Sequence, residues 1–324
     1  MPDLLTTLLA GHATPDALCQ KLQLSPERLA EEVAALRVRG YAVLTDADGN
    51  IGMGQQTGSL LPEAILPMLQ TARMGRGEIL YALEMDSTNT RLKQEAQARC
   101  LAEGSLAVCE RQTAGKGRLQ RVWETPERGE SLPSSLLLRP KLPPEQLQLV
   151  TLAAAVAAAS AIEDFGFAPA IKWPNDVVLN GRKCVGILCE LATDAQGERF
   201  VIAGVGFNVN QRAFPEALAA KATSLYLDGG RVLDRCALLC RYLWHMERAM
   251  DTLEAGGLAA LMPLYASRSA TLSRRVEVIG ATERFFGTAE SIDDSGALWV
   301  RDDQGALRRV LSGDVSVRGV MGYV

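Results

Sequence analysis

The chain has 324 residues, 48% of them apolar and 22% charged, with a formal net charge of −4 and a pI near 5.5. That length suggests two or three domains, and the acidic balance excludes a whole-protein attraction to nucleic acid or anionic lipid. The longest apolar stretch, Leu147–Ile162, is Ala-rich and falls short of the roughly 20 residues of a membrane span, so a buried core helix is expected.

Met1-Pro2-Asp3 lacks the basic start and long apolar region of a signal peptide, which predicts a cytoplasmic protein. Seven cysteines are scattered, and only Cys236 and Cys240 stand at helical spacing with no second pair to complete a metal site. With His12 and His245 as the two histidines, neither a His-based metal site nor a His-based triad is expected, and the thiols read as reduced and structural.

Residues 4–60 predict three short helices and a hairpin. Leu4, Leu5, Leu8 and Leu9 face one way until Gly11, and Thr14-Pro15 and Ser25-Pro26 each supply a cap plus a proline at the first helical position. Leu29, Val33 and Leu36 recur at helical spacing up to Gly40, Tyr41–Leu44 reads as a strand, and Asp48-Gly49 as a hairpin turn. The pattern is that of a winged helix-turn-helix, whose third helix would enter a DNA major groove. That helix sets Glu27, Glu31 and Glu32 against Arg28, Arg37 and Arg39, and the wing adds Asp46 and Asp48, a poor surface for phosphate. A vestigial or protein-contacting module is the preferred reading beside DNA binding.

Residues 61–78, with Pro62, Pro67, Gly75 and Gly77, read as a linker or lead-in. Strands then alternate irregularly with helices: Ile79–Leu83, a helix from Ser87, strands at Leu106–Glu110 and Ser135–Leu138 around a long loop, and an Ala-rich helix over Gln146–Asp164. Ala170–Trp173 reads as a strand, Val177–Leu179 and Cys184–Leu188 as a hairpin across Asn180-Gly181, and Phe200–Val205 as a buried strand. From Leu272 five short strands without helices suggest a small barrel. The expected fold is α+β: an N-terminal winged helix (1–64), a catalytic domain with a central mixed sheet and helices on one side (65–270), and a C-terminal SH3-like barrel (271–324).

The segment from Glu110 to Trp123, with Gly115-Lys116-Gly117-Arg118 at its centre, is a Gly-rich cationic loop between two strands, suited to a polyanion. Alone it is weak, since it lacks the P-loop spacing and a solvated basic loop fits it as well. Its company narrows the choice: Asp86-Ser87-Thr88-Asn89 before it, then Lys172-Trp173-Pro174-Asn175-Asp176, Asn180-Gly181-Arg182-Lys183, Gly186-Ile187-Leu188, Gly204-Val205-Gly206-Phe207-Asn208 and Ser312-Gly313-Asp314-Val315-Ser316. In this order the motifs closely resemble the biotin–protein ligase family, and the winged-helix start is most similar to its bifunctional ligase/repressor type.

The resemblance implies an enzyme that uses biotin, ATP and Mg²⁺ to form biotinyl-5′-AMP, then transfers biotin to a lysine of a biotin carboxyl carrier domain. It implies biotin contacts from Ser87, Thr88, Asn89, Gln112, Gly115, Lys116, Gly117, Arg118 and Lys183. It implies catalytic roles for Lys183, Arg118, Lys116 and Asp176, and nucleotide contacts from Arg118, Arg121, Trp123, Lys172, Asn175, Asp176 and Asn208. It also implies homodimerisation and, with the winged helix, operator DNA as a partner. Hydroxyls and amides suit the neutral ureido ring, and a lysine suits two anions brought together. Asp176 fits either Mg²⁺ or the acceptor amine, and no dedicated protein metal site is expected.

Without the family, Ser87 and Thr88 read as a helix cap, Lys183 as a solvated turn residue, and Pro-Asn-Asp as a turn. Gly204 and Gly206 admit either a close ligand or tight strand packing. Lys116 stands where the family has arginine and loses the planar fork. Leu119-Gln120 replaces a basic residue and glycine, so Gln120 restricts the loop if its position needs positive φ, and Pro133 argues for a strand edge or altered loop end. A lipoate or octanoate transferase fits less well for want of a histidine motif. A repressor with weak ligase activity and a binding protein without turnover are the other readings.

Overall fold

The computed structural model describes residues 3–38, 40–53, 58–125, 129–280, 283–311 and 316–319. Arg39 and the Ser312–Val315 part of the last motif lie outside them. Helices α1 (Leu4–Leu9), α2 (Pro15–Leu22) and α3 (Pro26–Val38) precede a hairpin of β1 (Val43–Thr45) and β2 (Ile51–Met53). Each helix starts where a side-chain oxygen meets a backbone N–H left without a partner in its helix. Asp3 Oδ1 accepts from Thr6 N at 2.7 Å, Thr14 Oγ1 from Ala17 N at 3.2 Å, and Ser25 Oγ from Arg28 N at 3.2 Å. Leu8, Leu18, Leu29, Val33, Leu36 and Tyr41 bury one small core of their own, giving the expected winged-helix arrangement.

The stretch expected to be a linker is packed. It forms α4 (Pro62–Ile65) and a following turn, and Leu60, Ile65, Leu69 and Met74 enter the main core. Its backbone is held from outside, with Glu247 accepting from Ala72, Arg73 and Met74 N–H at 2.9, 2.7 and 3.0 Å. Prolines punctuate this segment, and the leucines between them anchor it.

Next come β3 (Ile79–Met85), α5 (Thr88–Arg99), β4 (Leu106–Gln112), β5 (Ser131–Leu138), α6 (Leu149–Glu163), β6 (Ala170–Lys172), β7 (Asp176–Leu179), β8 (Arg182–Thr193), β9 (Arg199–Asn208), the short α7 (Glu216–Ala219) and α8 (Leu225–Gly229), and the long α9 (Arg235–Ala266). The strands make one mixed sheet in the order β3-β4-β5-β9-β8-β7-β6, in which β3 and β4 are parallel and the other neighbours antiparallel.

Helices on one side were expected, and here the structure differs. Helices α6 and α9 cover one face over Leu106, Val108, Leu136 and Leu138. Helix α5 covers the other, its Leu92 and Ala96 meeting Ala107, Leu137 and Ile202. The cause is the composition of β4 and β5, which are buried almost throughout and so need cover on both faces.

Pro144–Glu163 is long and apolar enough to cross a membrane, which corrects the shorter reading of that stretch. Its residues Leu149–Ile162 are instead almost wholly buried in the core.

Pro133 also departs from expectation. It lies within β5, opposite Gly206 of β9, rather than at an altered loop end. Leu137 N donates to Ser105 O on the β4 side, and the period of two turns the Pro133 nitrogen to that side as well. The β4 ladder ends at Ser134, so the missing N–H breaks no rung there.

The C-terminal unit is an antiparallel five-stranded sheet of β10 (Arg275–Ile279), β11 (Arg284–Ile292), β12 (Leu298–Asp302), β13 (Leu307–Val310) and β14 (Ser316–Gly319), ordered β13-β12-β11-β10-β14. This is the small SH3-like unit expected. Val276, Val278, Leu298 and Val300 join the main core, and buried Trp173 fastens the unit by donating Nε1 to Gly296 O at 3.2 Å. The tryptophan of the Lys-Trp-Pro-Asn-Asp motif is thus a structural clasp.

One carboxylate of this unit carries a pH prediction. Burial alone raises the Asp293 pKa, but bonds from Arg309, Ser295 and the Ala297 N–H outweigh it and hold it well below the usual range. A depressed folded-state pKa contributes stability above the unfolded value, near 4, that is lost as pH falls further. Thermal melts should therefore show a smaller loss between pH 5 and pH 3 for Asp293→Asn than for the native chain; equal losses refute the assignment.

Candidate active site

The site begins where β3 ends. Ser87 occupies the N-cap of α5 in an extended conformation, yet its hydroxyl makes no capping bond. The cap comes from β4, where Gln112 Oε1 accepts from Thr88 N at 2.8 Å and lies 3.1 Å from Thr88 Oγ1. The plain helix-cap reading of Ser87 and Thr88 therefore fails, because a neighbouring strand does that work.

The Gly-rich loop is pinned at its base and folded back on itself. Thr113 N and Ala114 N donate to Met85 O and Asp86 O, each at 2.8 Å, and Trp123 N donates to Gly115 O at 2.9 Å. A Cβ at Gly115 would lie 2.3 Å from Trp123 O, which is why that position needs glycine. The positive φ suspected at Gln120 falls one residue earlier, at Leu119 with φ 55°.

Arg118 crosses to the Lys-Trp-Pro-Asn-Asp segment and donates Nη1 to Asn175 Oδ1 at 3.0 Å. Asn175 is itself fixed by donation from its Nδ2 to Ile187 O at 2.7 Å. Burial lowers the Arg118 pKa, with the Asp176 charge opposing and Arg121 adding to the shift. The guanidinium remains a full cation near neutrality.

Lys183 reaches the same place through a backbone irregularity. The β7–β8 hairpin turns at Asn180-Gly181, both at positive φ as the sequence predicted. Its register then skips Cys184, pairing Val177 with Val185 and Val178 with Lys183. Residues three apart on a regular strand face opposite ways, but this bulge puts Lys183 beside Gly186. A Cβ at Gly186 would lie 3.0 Å from Lys183 Cε. The ammonium pairs with Asp176 at 2.5 Å and sits 5.4 Å from the Trp123 ring centroid. The strand glycines make room for side chains: Gly204 for Asn89, and Gly186 and Gly206 for the Trp123 indole.

One cavity of about 50 Å³ gathers Ser87, Thr88, Asn89, Gln112, Lys116, Gly117, Arg118, Trp123, Asn175 and Lys183. Gln112, Trp123 and Lys183 also border an adjoining cavity of about 530 Å³, lined by Gly115, Asn208, Gln211 and Phe214 among others. Ligand pockets typically enclose about 300–1,000 Å³, and the indole lying across Gly186 and Gly206 accounts for the small first cavity. Asn208 borders the larger cavity, but its amide is engaged within the protein, bonding Thr223 O and Gln211 at 3.1 Å each. Lys172 and Arg121 line neither cavity. Among the described residues no cluster of three metal-ligating side chains occurs.

Burial pushes the Cys109 thiol up to about 12 and Cys189 up to about 11, and all seven cysteines are free, which fits the structural reading.

Three features escaped the sequence reading. Ser135 bonds both Thr88 and Asn89. The loop Gln211–Ala222 walls the larger cavity. A buried Arg235–Glu110 pair at 2.7 Å ties α9 to β4, and Arg235 also donates to Ser131 O at 3.0 Å. The three serines within the otherwise apolar strand Ser131–Leu138 were the available signal for the first.

Residues 81–208 match the Biotin/lipoate A/B protein ligase family, and residues 271–318 match the Biotin protein ligase C terminal domain. The bifunctional ligase/repressor BirA of Bacillus subtilis (strain 168) is 33% identical over 289 residues, covering 88% of this chain and 85% of the relative. The chain belongs to the biotin–protein ligase family. A biotin–[acetyl-CoA-carboxylase] ligase of Mycobacterium tuberculosis is 34% identical over 250 residues, covering 75% of this ligase-family chain and 90% of the relative. The biotin protein ligase of Aquifex aeolicus, solved with biotin and ATP, superposes with a TM-score of 0.65 at 30% identity, covering 75% of this chain and 99% of its own.

Proposed function

We propose that this chain is an ATP-dependent biotin–protein ligase working in two steps on these two cavities. The polar rim of Ser87, Thr88 and Gln112 takes the ureido ring, and Lys183 at the boundary with the larger cavity meets the biotin carboxylate and the α-phosphate. The carboxylate oxygen attacks the α-phosphorus and pyrophosphate leaves. The carrier lysine amine then attacks the acyl carbon, an amide forms, AMP leaves and the amine gives up a proton. Lys116 and Arg118 offset the charge on the phosphoryl oxygens, and the Gly-rich loop keeps water from the mixed anhydride. Mg²⁺ enters with the triphosphate, as is usual for that ion. Asp176, paired with Lys183, holds the ammonium in place until the anions arrive.

The observation that carries this reading is the position of Lys183, shared by a small polar cavity and a larger, mostly apolar one. The partner is a biotin carboxyl carrier domain, the site of action the cytoplasm, and the domain limits 1–64, 65–270 and 271–324. Incubation with biotin, Mg·ATP and a carrier domain should add one biotinyl group to one lysine by intact mass. An unmodified carrier refutes the reading.

A second role as a repressor, with dimerisation, is favoured by the names of the relatives, and the charge on α3 sets its expected strength. Arg28 is held by Glu31 at 2.8 Å and Glu32 at 3.3 Å, and Arg37 Nε donates to Val43 O at 3.0 Å. Gel shifts on duplex DNA should appear at low salt and vanish near 150 mM. Glu27→Lys, Glu31→Lys and Glu32→Lys together should tighten binding by an order of magnitude or more. Tight native binding at 150 mM refutes this.

A further inference from the structure

Three buried polar side chains at the wall of the small cavity, Thr88, Asn89 and Ser135, and the half-buried Glu190 form one continuous chain with a fixed direction. Asn89 Nδ2 donates to Glu190 Oε2 at 2.7 Å and to Leu188 O at 3.1 Å. Both amide hydrogens are thereby engaged, and Oδ1 must be the atom that faces Ser135 Oγ at 2.6 Å. Ser135 has one hydrogen, and Asn89 Oδ1 can only accept, so that hydrogen goes to Asn89. The Ser135 oxygen, 2.7 Å from Thr88 Oγ1, can then only accept from Thr88. This contact is shorter than the 3.1 Å from Thr88 Oγ1 to Gln112 Oε1, which already accepts from Thr88 N. The Thr88 hydroxyl therefore points its hydrogen back into the protein and turns its lone pairs to the cavity.

Ser135 itself is 0% exposed and lines no part of that cavity, whereas Thr88 and Gln112 do. We propose that Ser135, oriented by Asn89 and Glu190, is a positioning residue that fixes Thr88 as a hydrogen-bond acceptor. The site thereby selects a ring carrying an N–H at that point. This inference rests on the biotin reading and assigns its specificity. It also gives Asn89 a different part from the one expected: its amide donors are satisfied within the protein, so it sets the relay rather than donating to the ring.

The test compares biotin with its cyclic carbamate analogue, in which a ring oxygen replaces one ureido N–H. Both are assayed on the full chain by pyrophosphate release with Mg·ATP. Ser135→Ala removes the acceptor that fixes the Thr88 hydrogen, so the preference for biotin over the carbamate should fall about tenfold with the ATP KM unchanged. Ser135→Ala combined with Thr88→Val should be no worse than Thr88→Val alone, because the serine acts through the threonine. Glu190→Gln, which keeps a neutral acceptor and lies at the far end of the relay, should lower the preference by a smaller factor. Equal losses for both ligands in Ser135→Ala, or multiplicative losses in the double variant, overturn the proposal. A native chain that releases no pyrophosphate with biotin overturns the ligase reading beneath it, a result separable from either of those.

Discussion

Lys183→Ala is expected to slow biotinyl-adenylate formation by roughly 10²–10³-fold, the usual effect of deleting one preorganised charge from an anionic transition state. The argument is geometric as well as electrostatic. The bulge at Cys184 puts the ammonium on the ligand face, Asp176 at 2.5 Å and the Trp123 ring at 5.4 Å limit where it can go, and Gly186 leaves it room. Attack of one anion on another is slow chiefly because charges must be brought together, and a fixed cation lowers that cost most where water is excluded. Lys183→Arg should recover little, since the guanidinium is broader and would press on the indole over Gly186. Single-turnover pyrophosphate release checks both variants, with aminolysis of preformed biotinyl-5′-AMP as the control. If adenylate formation in Lys183→Ala keeps its native rate, the assignment is lost.

Much of this site could be read in the sequence because its parts are local. The Asn180-Gly181 turn requires left-handed backbone at both positions, and that chemistry is visible in two letters. The Gly-rich loop and the Lys-Trp-Pro-Asn-Asp segment are likewise contiguous, and the structure brings their Arg118 and Asn175 within 3.0 Å. What depended on distant partners was not legible. Ser135 reads as one small residue in a strand until Thr88 and Asn89 arrive from a helix 47 and 46 positions away. The face of Lys183 depended on a one-residue slip against β7, which a period-two reading assigns the wrong way. Trp173 looked like part of a ligand motif, and its clasp on the C-terminal sheet needs Gly296, 123 positions on. The fold class was clear from alternation, but helix α5 on the second face was not, since Ala107 and Leu137 are as apolar as their neighbours whichever way they point.

Gly204→Ala is the second variant with a large expected effect, because no neighbour there can yield cheaply. A Cβ on Gly204 would stand 2.0 Å from Asn89 Oδ1 and 2.7 Å from its Cγ, so the carboxamide must leave its seat. Overpacking of this kind costs about 1–3 kcal/mol, and the buried Ser135 hydroxyl loses its acceptor, at about 1–3 kcal/mol for a group left unsatisfied. Part of the cost lowers stability. The rest reaches the ligand, since Thr88 and Gln112 are held by the same bonds. The melting temperature should drop by several degrees and biotin affinity by about 100-fold, read by differential scanning and titration calorimetry. Gly197→Ala is the matched control. Its φ of +84° makes alanine strained, yet open space surrounds it, so it should cost about 1 kcal/mol of stability and leave biotin affinity unchanged. Native biotin affinity in Gly204→Ala would show that Asn89 does not need its seat on β9, and the polar relay behind the cavity would lose its fixed direction.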